Sequence, residues 1–326
     1  MMRSTSALAA ALAAALIVGP GPATAAKAPT PKAADPGAVN PLWHDGKIKN
    51  YLPYMSWPEV AALLKTSDMV IIPVGAMEQH GLGGPIGTDY LNGTQRALLV
   101  AQQTDVLVAP ILLPGQSPYH AEFPGTITLS SETVERVYFE AAQSLIKQGF
   151  RRFLFLNSHG GNIATTAFIV DRINQETPAV AVELGEAAEL MEKPAAPAAG
   201  PARPRVFDRH AGVNETANSL YLTPGLYDQS VARAATLTYP PHIAAMVPQV
   251  LAGDKAANLV FLAEALKQKS TGKQTSTREM SDTGAWSVLD PKTATAEMGR
   301  RDNEAFVAAA VAFINRWKEL RPNGAN

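Results

Sequence analysis

Residues 69–93 read MVIIPVGAMEQHGLGGPIGTDYLNG, an apolar run followed at once by Glu78, His80 and Asp89 among glycines at 75, 81, 83, 84 and 87. A carboxylate–imidazole set in a glycine-rich loop at the end of a buried strand is suited to holding divalent cations. In an extended segment alternate residues share a face, so Glu78 and His80 stand side by side with Cα atoms about 6–7 Å apart. That gap suits ligands of two neighbouring ions about 3.5–4 Å apart, and Asp89, returning on the same loop, could bridge them. Taken alone, the stretch fits a solvated loop with incidental charges equally well.

Two further segments shift the balance. Residues 151–163 read RRFLFLNSHGGNI, an apolar run ending in Asn157, His159, a glycine pair and Asn162. Residues 208–216 read DRHAGVNET and bring His210 and Glu215 beside another glycine. The chain has six histidines, and His80, His159 and His210 all lie in these glycine-flanked segments. A lone histidine is usually a hydrogen-bonded structural residue. Three such segments, together supplying Glu78, Asp89 and Glu215, point instead to a shared metal centre.

The motifs resemble the creatininase (creatinine amidohydrolase) family. They comprise Pro73-Val74-Gly75 with Glu78-Gln79-His80-Gly81, Pro85 and Gly87-Thr88-Asp89. Next come Asn157-Ser158-His159-Gly160-Gly161-Asn162, then His210-Ala211-Gly212 with Glu215-Thr216. Phe123-Pro124-Gly125-Thr126 and Thr295-Ala296-Glu297-Met298-Gly299-Arg300 match two more family segments. The resemblance covers roughly residues 50–318. It implies Glu78 and His159 on one ion, His80 on the other, and Asp89 bridging. In creatininase a carboxylate two residues past the histidine of the HGGN-like turn completes the second site, but here that position is Gly161. Glu215 is therefore expected to complete it; its alternative role is support of a helix beginning near Asn214.

The implied reaction is amide hydrolysis by a hydroxide bridging two divalent ions. Zn²⁺ suits the N/O donor set, with Mn²⁺ or Fe²⁺ as alternatives. His210 is the expected proton donor to the leaving nitrogen; the other role for it is a structural bond to a backbone carbonyl. His120 and Trp286 are candidate substrate contacts, against bracing the loop and filling the core respectively. Relatives often carry Glu where Tyr119 stands, which implies altered substrate contacts. The expected substrate is a small cyclic amide, formamide or related non-peptide compound. Peptide trimming and a catalytically silent metal-binding role are the alternatives. Family members are commonly hexameric, so a homo-oligomer is expected.

The remaining sequence fits an exported enzyme. Arg3, the apolar stretch from Ala7 to Val18 and Ala23-Thr24-Ala25 read as a cleaved signal over residues 1–25, leading to the periplasm or outside. Residues 26–48 read as a Pro/Ala-rich disordered spacer, 49–320 as the catalytic domain and 321–326 as a tail. A formal net charge of −1 and the lack of a basic stripe argue against nucleic acid or membrane as partner. Zero cysteines exclude disulfides and thiolate ligands.

The elements that must position these groups alternate. A capping signal at Ser56-Trp57-Pro58-Glu59 opens a helix to about 66. Strands are expected near 69–74, 106–112, 153–156 and 180–184. Helices are expected near 90–103, 131–147 (ended by Gly149), 163–175, 253–269 and 294–320. Repeated β-then-α units imply an α/β fold: a single-domain, three-layer α/β/α sandwich with a mainly parallel central sheet. Ligand loops then gather at the carboxyl ends of the strands. The Pro/Ala-rich stretch 192–205 reads as a surface insertion.

Overall fold

The computed structural model describes residues 38–112, 114–191, 207–265 and 276–323. The expected signal, the first part of the spacer and the 192–205 insertion lie outside them. Four parallel strands form the central sheet in the order β2-β1-β3-β4, with β1 at Met69–Val74, β2 at Leu107–Val108, β3 at Arg152–Asn157 and β4 at Val180–Glu183. β1 is buried along its whole length, as expected of a parallel strand covered on both faces.

Side-chain alternation divides the core into two layers. Met69, Ile71, Leu154 and Leu156 face helices α2 (Thr88–Thr104), α5 (Leu184–Glu189) and α11 (Ala296–Leu320). Val70, Ile72, Val74, Phe153 and Phe155 face α3 (Ser131–Gln148) and α4 (Ile163–Glu176). This is the three-layer sandwich that the β-then-α order implies. At the start of α1 (Trp57–Leu64), Glu59 accepts the Ser56 N–H at 2.7 Å. At the end of α3, Gly149 takes a left-handed φ of 115°, which a residue with a Cβ adopts only under strain.

Several boundaries differ from expectation. The strand expected over 106–112 shortens to Leu107–Val108; its ladder ends with the Ala109 N–H donating to the Ile71 carbonyl at 2.9 Å, because Pro110 has no N–H to continue it. α2 begins at Thr88, so Asp89 belongs to the first turn of a helix rather than to the preceding loop. Residues 38–48 are not a loose spacer. Asn40 is buried and donates to Gln95 Oε1 at 2.8 Å and to the Leu222 carbonyl at 3.0 Å. Composition concealed that anchoring because one asparagine supplies much of it.

The part of the chain beyond 206 is more broken than apolar spacing suggests. It holds the antiparallel pair β5 (Asp208–His210) and β6 (Trp286–Ser287), helix α6 (Val213–Leu222), short helices α7 (Pro241–Ala244), α8 (Val247–Leu251) and α10 (Thr277–Met280), and α9 at Lys255–Ala265. Phe207, Ile243, Phe261, Met280 and Trp286 form a separate small core beneath the pair. No helix among the described residues is long and apolar enough to cross a membrane.

Register brings the ligand loops together. Val74 pairs with Asn157, so β1 and β3 end side by side and release their loops from the same sheet edge. Phe155 lies at the centre of that pairing and is fully buried. Phe155→Ala should cost about 3–5 kcal/mol by opening a cavity in one core layer. Urea unfolding should show the loss as a lower midpoint with an unchanged slope.

Candidate metal centre

Glu78 and His80 come from the extended loop after β1, Asp89 from the first turn of α2, and His159 from the turn after β3. His210 ends β5, and Glu215 lies in the first turn of α6. All six meet in one place. Ligand-capable atoms of Glu78, Asp89 and His159 cluster within 4.8 Å of one another, as do those of His80, Asp89 and Glu215. Asp89 belongs to both trios: Oδ2 lies 3.1 Å from His159 Nδ1 and Oδ1 lies 3.3 Å from His80 Nε2. A third trio joins Glu78, His80 and His210.

Backbone carbonyls set the ring tautomers. His80 Nδ1 donates to the Glu78 carbonyl at 3.0 Å, His159 Nε2 to that of Gln116 at 2.9 Å, and His210 Nε2 to that of Gln79 at 2.7 Å. The opposite nitrogen of each ring then turns toward carboxylate oxygens. His80 Nε2 is 3.6 Å from Glu215 Oε2, His159 Nδ1 is 3.3 Å from Glu78 Oε1, and His210 Nδ1 is 3.4 Å from Glu78 Oε1. Lone pair facing lone pair is stable only with a cation between them, either a proton or a metal ion. Glu78 Oε2, His80 Nε2 and Asp89 Oδ2 are buried without a hydrogen-bond partner, a need that coordination to a cation would satisfy. The donor types, the backbone-fixed tautomers and the orphaned atoms all fit a divalent-cation site.

Electrostatics agrees. Burial pushes the His80 imidazolium toward deprotonation, but Asp89, Glu215 and Glu78 outweigh it and raise the pKa to about 10. His159 is likewise raised well above the usual range despite burial, through Glu78 and Asp89. His120 and His210 go the other way, lowered by burial and by neighbouring imidazoles. Burial lifts Glu215 to about 7.

The brackets around the ligands have local causes. Asn162 donates to the Gly75 carbonyl at 2.9 Å and accepts from Gln116 N–H at 3.0 Å, tying three loops at one buried amide. Asn157 and His159 exchange bonds of 3.1 and 2.8 Å across the turn. Glu215 Oε2 accepts the Ala211 N–H at 2.6 Å, and Ala211 holds a left-handed φ of 51°. For a residue with a Cβ that conformation costs on the order of 1–3 kcal/mol.

Gly161 is the position where creatininase carries its carboxylate. A Cβ there would stand 2.2 Å from the Tyr119 hydroxyl, 2.3 Å from the Gln116 carbonyl and 2.4 Å from His159 Nε2. No side chain fits at 161 in this arrangement. Tyr119, at the position where relatives often have Glu, occupies part of that space, its hydroxyl 3.3 Å from His159 Nε2. Glu215 groups instead with His80 and Asp89.

Two other expected residues separate. His120 is buried at the centre; its Nδ1 lies 3.0 Å from Gln79 Nε2 and its ring stacks on His210 at 4.0 Å. Trp286 does not line the cleft and takes the core position that was the alternative to a substrate contact. It is 3% exposed and packs against Phe207 and Phe261, because its strand faces the small core. Its contribution is indirect: β6 pairs with β5 at Trp286 and His210.

Gln79 was missed. Its side-chain amide reaches His120 Nδ1 and donates to the Gly284 carbonyl, while its backbone oxygen holds His210. Strand alternation places it opposite Glu78 and His80, so spacing alone gave no reason to include it. A cleft of about 440 Å³ opens onto Asp89, His159 and Glu215, walled further by α2, α4, α5 and α6.

Comparison with known proteins agrees with this geometry. The family model described as creatininase, creatinine amidohydrolase, matches residues 53–314. The mycofactocin precursor peptide peptidase of Mycobacterium tuberculosis (strain ATCC 25618 / H37Rv) is 29% identical over 272 residues, 80% of this chain and 90% of that protein. The creatinine amidohydrolase of Pseudomonas putida is 32% identical over 126 residues, 37% of this chain and 47% of that protein. A crystal structure of creatinine amidohydrolase superposes with a TM-score of 0.58 at 20% identity, covering 83% of this chain and 98% of that one. At that identity the structural likeness speaks for the fold. With the family model spanning most of its length, the chain belongs to the creatininase family.

Proposed function

We propose that this protein hydrolyses an amide C–N bond with two divalent ions, and the observation that carries the reading is Asp89, shared between two ligand trios. One ion would be held by Glu78, Asp89 and His159, the other by His80, Asp89 and Glu215. Bound there, the ions would supply an acidified water and a polarised substrate carbonyl. Zn²⁺ suits these donors, and Mn²⁺ or Fe²⁺ are accommodated by the same set.

The chain's own groups do the rest. Asp89 presents one oxygen to each trio. The Gln116 carbonyl fixes His159 through Nε2, so only Nδ1 can face the centre. The Gln79 carbonyl fixes His210 in the same way, leaving Nδ1 3.8 Å from Glu215 Oε2. A proton released during attack can rest at that Nδ1 and pass to the departing nitrogen. His120, stacked on His210, keeps that ring from turning.

Two substrate readings follow. The first is the expected small cyclic or other non-peptide amide, which the name of the P. putida relative supports. The second is a peptide or peptide-like amide. It is favoured by the longer match to the mycobacterial peptide peptidase and by a cleft that runs on past the ligands along α2. Hydrolysis of lactams, formamides and short peptides by metal-loaded protein distinguishes them. Turnover confined to peptides excludes the first reading, and turnover of no amide at all excludes both.

Asp89→Ala should remove both ions and all activity, whereas Glu215→Gln should leave about one ion per chain, as read by metal analysis. A fully active protein with a single ion would overturn the two-ion reading. His210→Ala should retain metal and lose about 10²–10⁴-fold in turnover. Loss of metal in that variant would make His210 a ligand instead of a proton carrier. Without metal, His80 keeps its proton up to about pH 10. An entering cation must displace that proton, so affinity should weaken as pH falls, by about tenfold per unit for one proton released. Calorimetry in buffers of different ionisation enthalpy reads that release directly.

A further inference from the structure

Along α2, Asp89, Asn92 and Arg96 follow one another at helical spacing and all line the cleft. At 1.5 Å per residue, Arg96 stands about 10 Å along the helix from the shared metal ligand. Its guanidinium is held from behind. Nε donates to Asn303 Oδ1 at 2.8 Å, and the group lies 5.0 Å from the centroid of the Phe306 ring. Asn303 is itself fixed, donating to Asn218 Oδ1 at 2.6 Å and to the Gly299 carbonyl at 2.8 Å.

The two terminal NH2 groups of Arg96 have no partner among the described residues, and no carboxylate there lies within ion-pair distance. Burial lowers the guanidinium pKa to about 10, and the more distant Asp302 offsets this only in part. The acidic residues of the same cleft do not neutralise it. Glu183 is committed to the amides of Asn157 and Glu186 at 3.0 and 2.6 Å, and Glu186 and Glu189 are exposed. A half-buried, pre-oriented guanidinium with its fork unoccupied is the usual receptor for a planar anion.

Two other polar atoms on residues lining the cleft are also unpartnered. Asn92 Nδ2 is anchored on Ser219 Oγ at 3.0 Å, while Asn92 Oδ1 is buried without a donor. Thr166 Oγ1, on a fully buried residue of the cleft wall, has no partner either. A substrate N–H and carbonyl would satisfy them.

We infer that Arg96 is a specificity-determining residue that binds a carboxylate of the substrate, with Asn92 and Thr166 contacting the polar chain between that carboxylate and the scissile amide. The inference rests on the cleft belonging to the proposed hydrolase site. With the Asp89 and Arg96 backbones about 10 Å apart along α2, a ligand that reaches both ends of the cleft suits an extended chain of about three residues at about 3.3–3.6 Å each better than one small ring.

The test pairs N-acetyltriglycine, whose three residues span about 10 Å when extended, with its uncharged C-terminal carboxamide. Both are titrated calorimetrically into metal-loaded wild type, Arg96→Gln and Arg96→Lys, and hydrolysis is followed alongside. The wild type should bind the acid at least about tenfold more tightly than the amide, the usual scale for a charge-assisted pair. Arg96→Gln should collapse that ratio toward one. Arg96→Lys, which keeps the charge without the fork, should recover part of it and guard against a folding defect. An unchanged ratio in Arg96→Gln overturns the inference and assigns the carboxylate to the metals. Failure of wild type to prefer the acid overturns it as well. Absence of hydrolysis with the binding preference intact would overturn the hydrolase reading and leave the Arg96 subsite standing.

Discussion

Two buried carboxylates, the half-buried one of Glu215 and three imidazole lone pairs face one another near the carboxyl ends of β1 and β3. Such a cluster of acceptors is tolerable only when positive charge occupies it, and the rest of the site can be read as a means of holding it together. The Glu78, Gln79 and Gln116 carbonyls spend the outer ring nitrogens, so the inner ones have nowhere else to point. Asn162 locks the loops that carry those carbonyls. Sheet register keeps the two strand ends level. Removing any of these brackets would leave buried acceptors facing each other without a fixed spacing.

Glycine-flanked Glu78, His80 and His159 after apolar runs were legible because strand ends in a parallel sheet deliver their loops to one edge, whereas His210 was legible only through its HAG–ET motif. Helices such as α3, α4 and α11 were legible from their apolar spacing. Asp89 was expected to bridge, and it belongs to two ligand trios, although it lies in a helix and not in the loop. The second half of the molecule was harder. β5 and β6 are two or three residues long, and their pairing joins segments more than seventy residues apart. No local pattern announces such contacts, and Trp286 could not be assigned to core or cleft without them. Gln79 and Asn40 illustrate a different difficulty. A single amide that satisfies several distant partners leaves no periodic trace.

Arg96 shows what helical spacing holds beyond the motif. Asp89, Asn92 and Arg96 share a face by simple periodicity, but the arginine reads as an ordinary surface charge until Asn303 and Phe306 are seen behind it. The family motif specifies the chemistry at one end of the cleft. The far end is written in residues with no motif of their own, where substrate preference can diverge while the ligands stay fixed.

The crowding at Gly161 constrains how that divergence can run. Tyr119, the Gln116 carbonyl and His159 already occupy the room any side chain there would need. Reinstating a ligand at 161 therefore demands a coordinated change at 119 and in the 116 backbone, since each step taken singly clashes or leaves a void. A carboxylate at 161 and the present arrangement around Tyr119 are thus separated by an epistatic barrier.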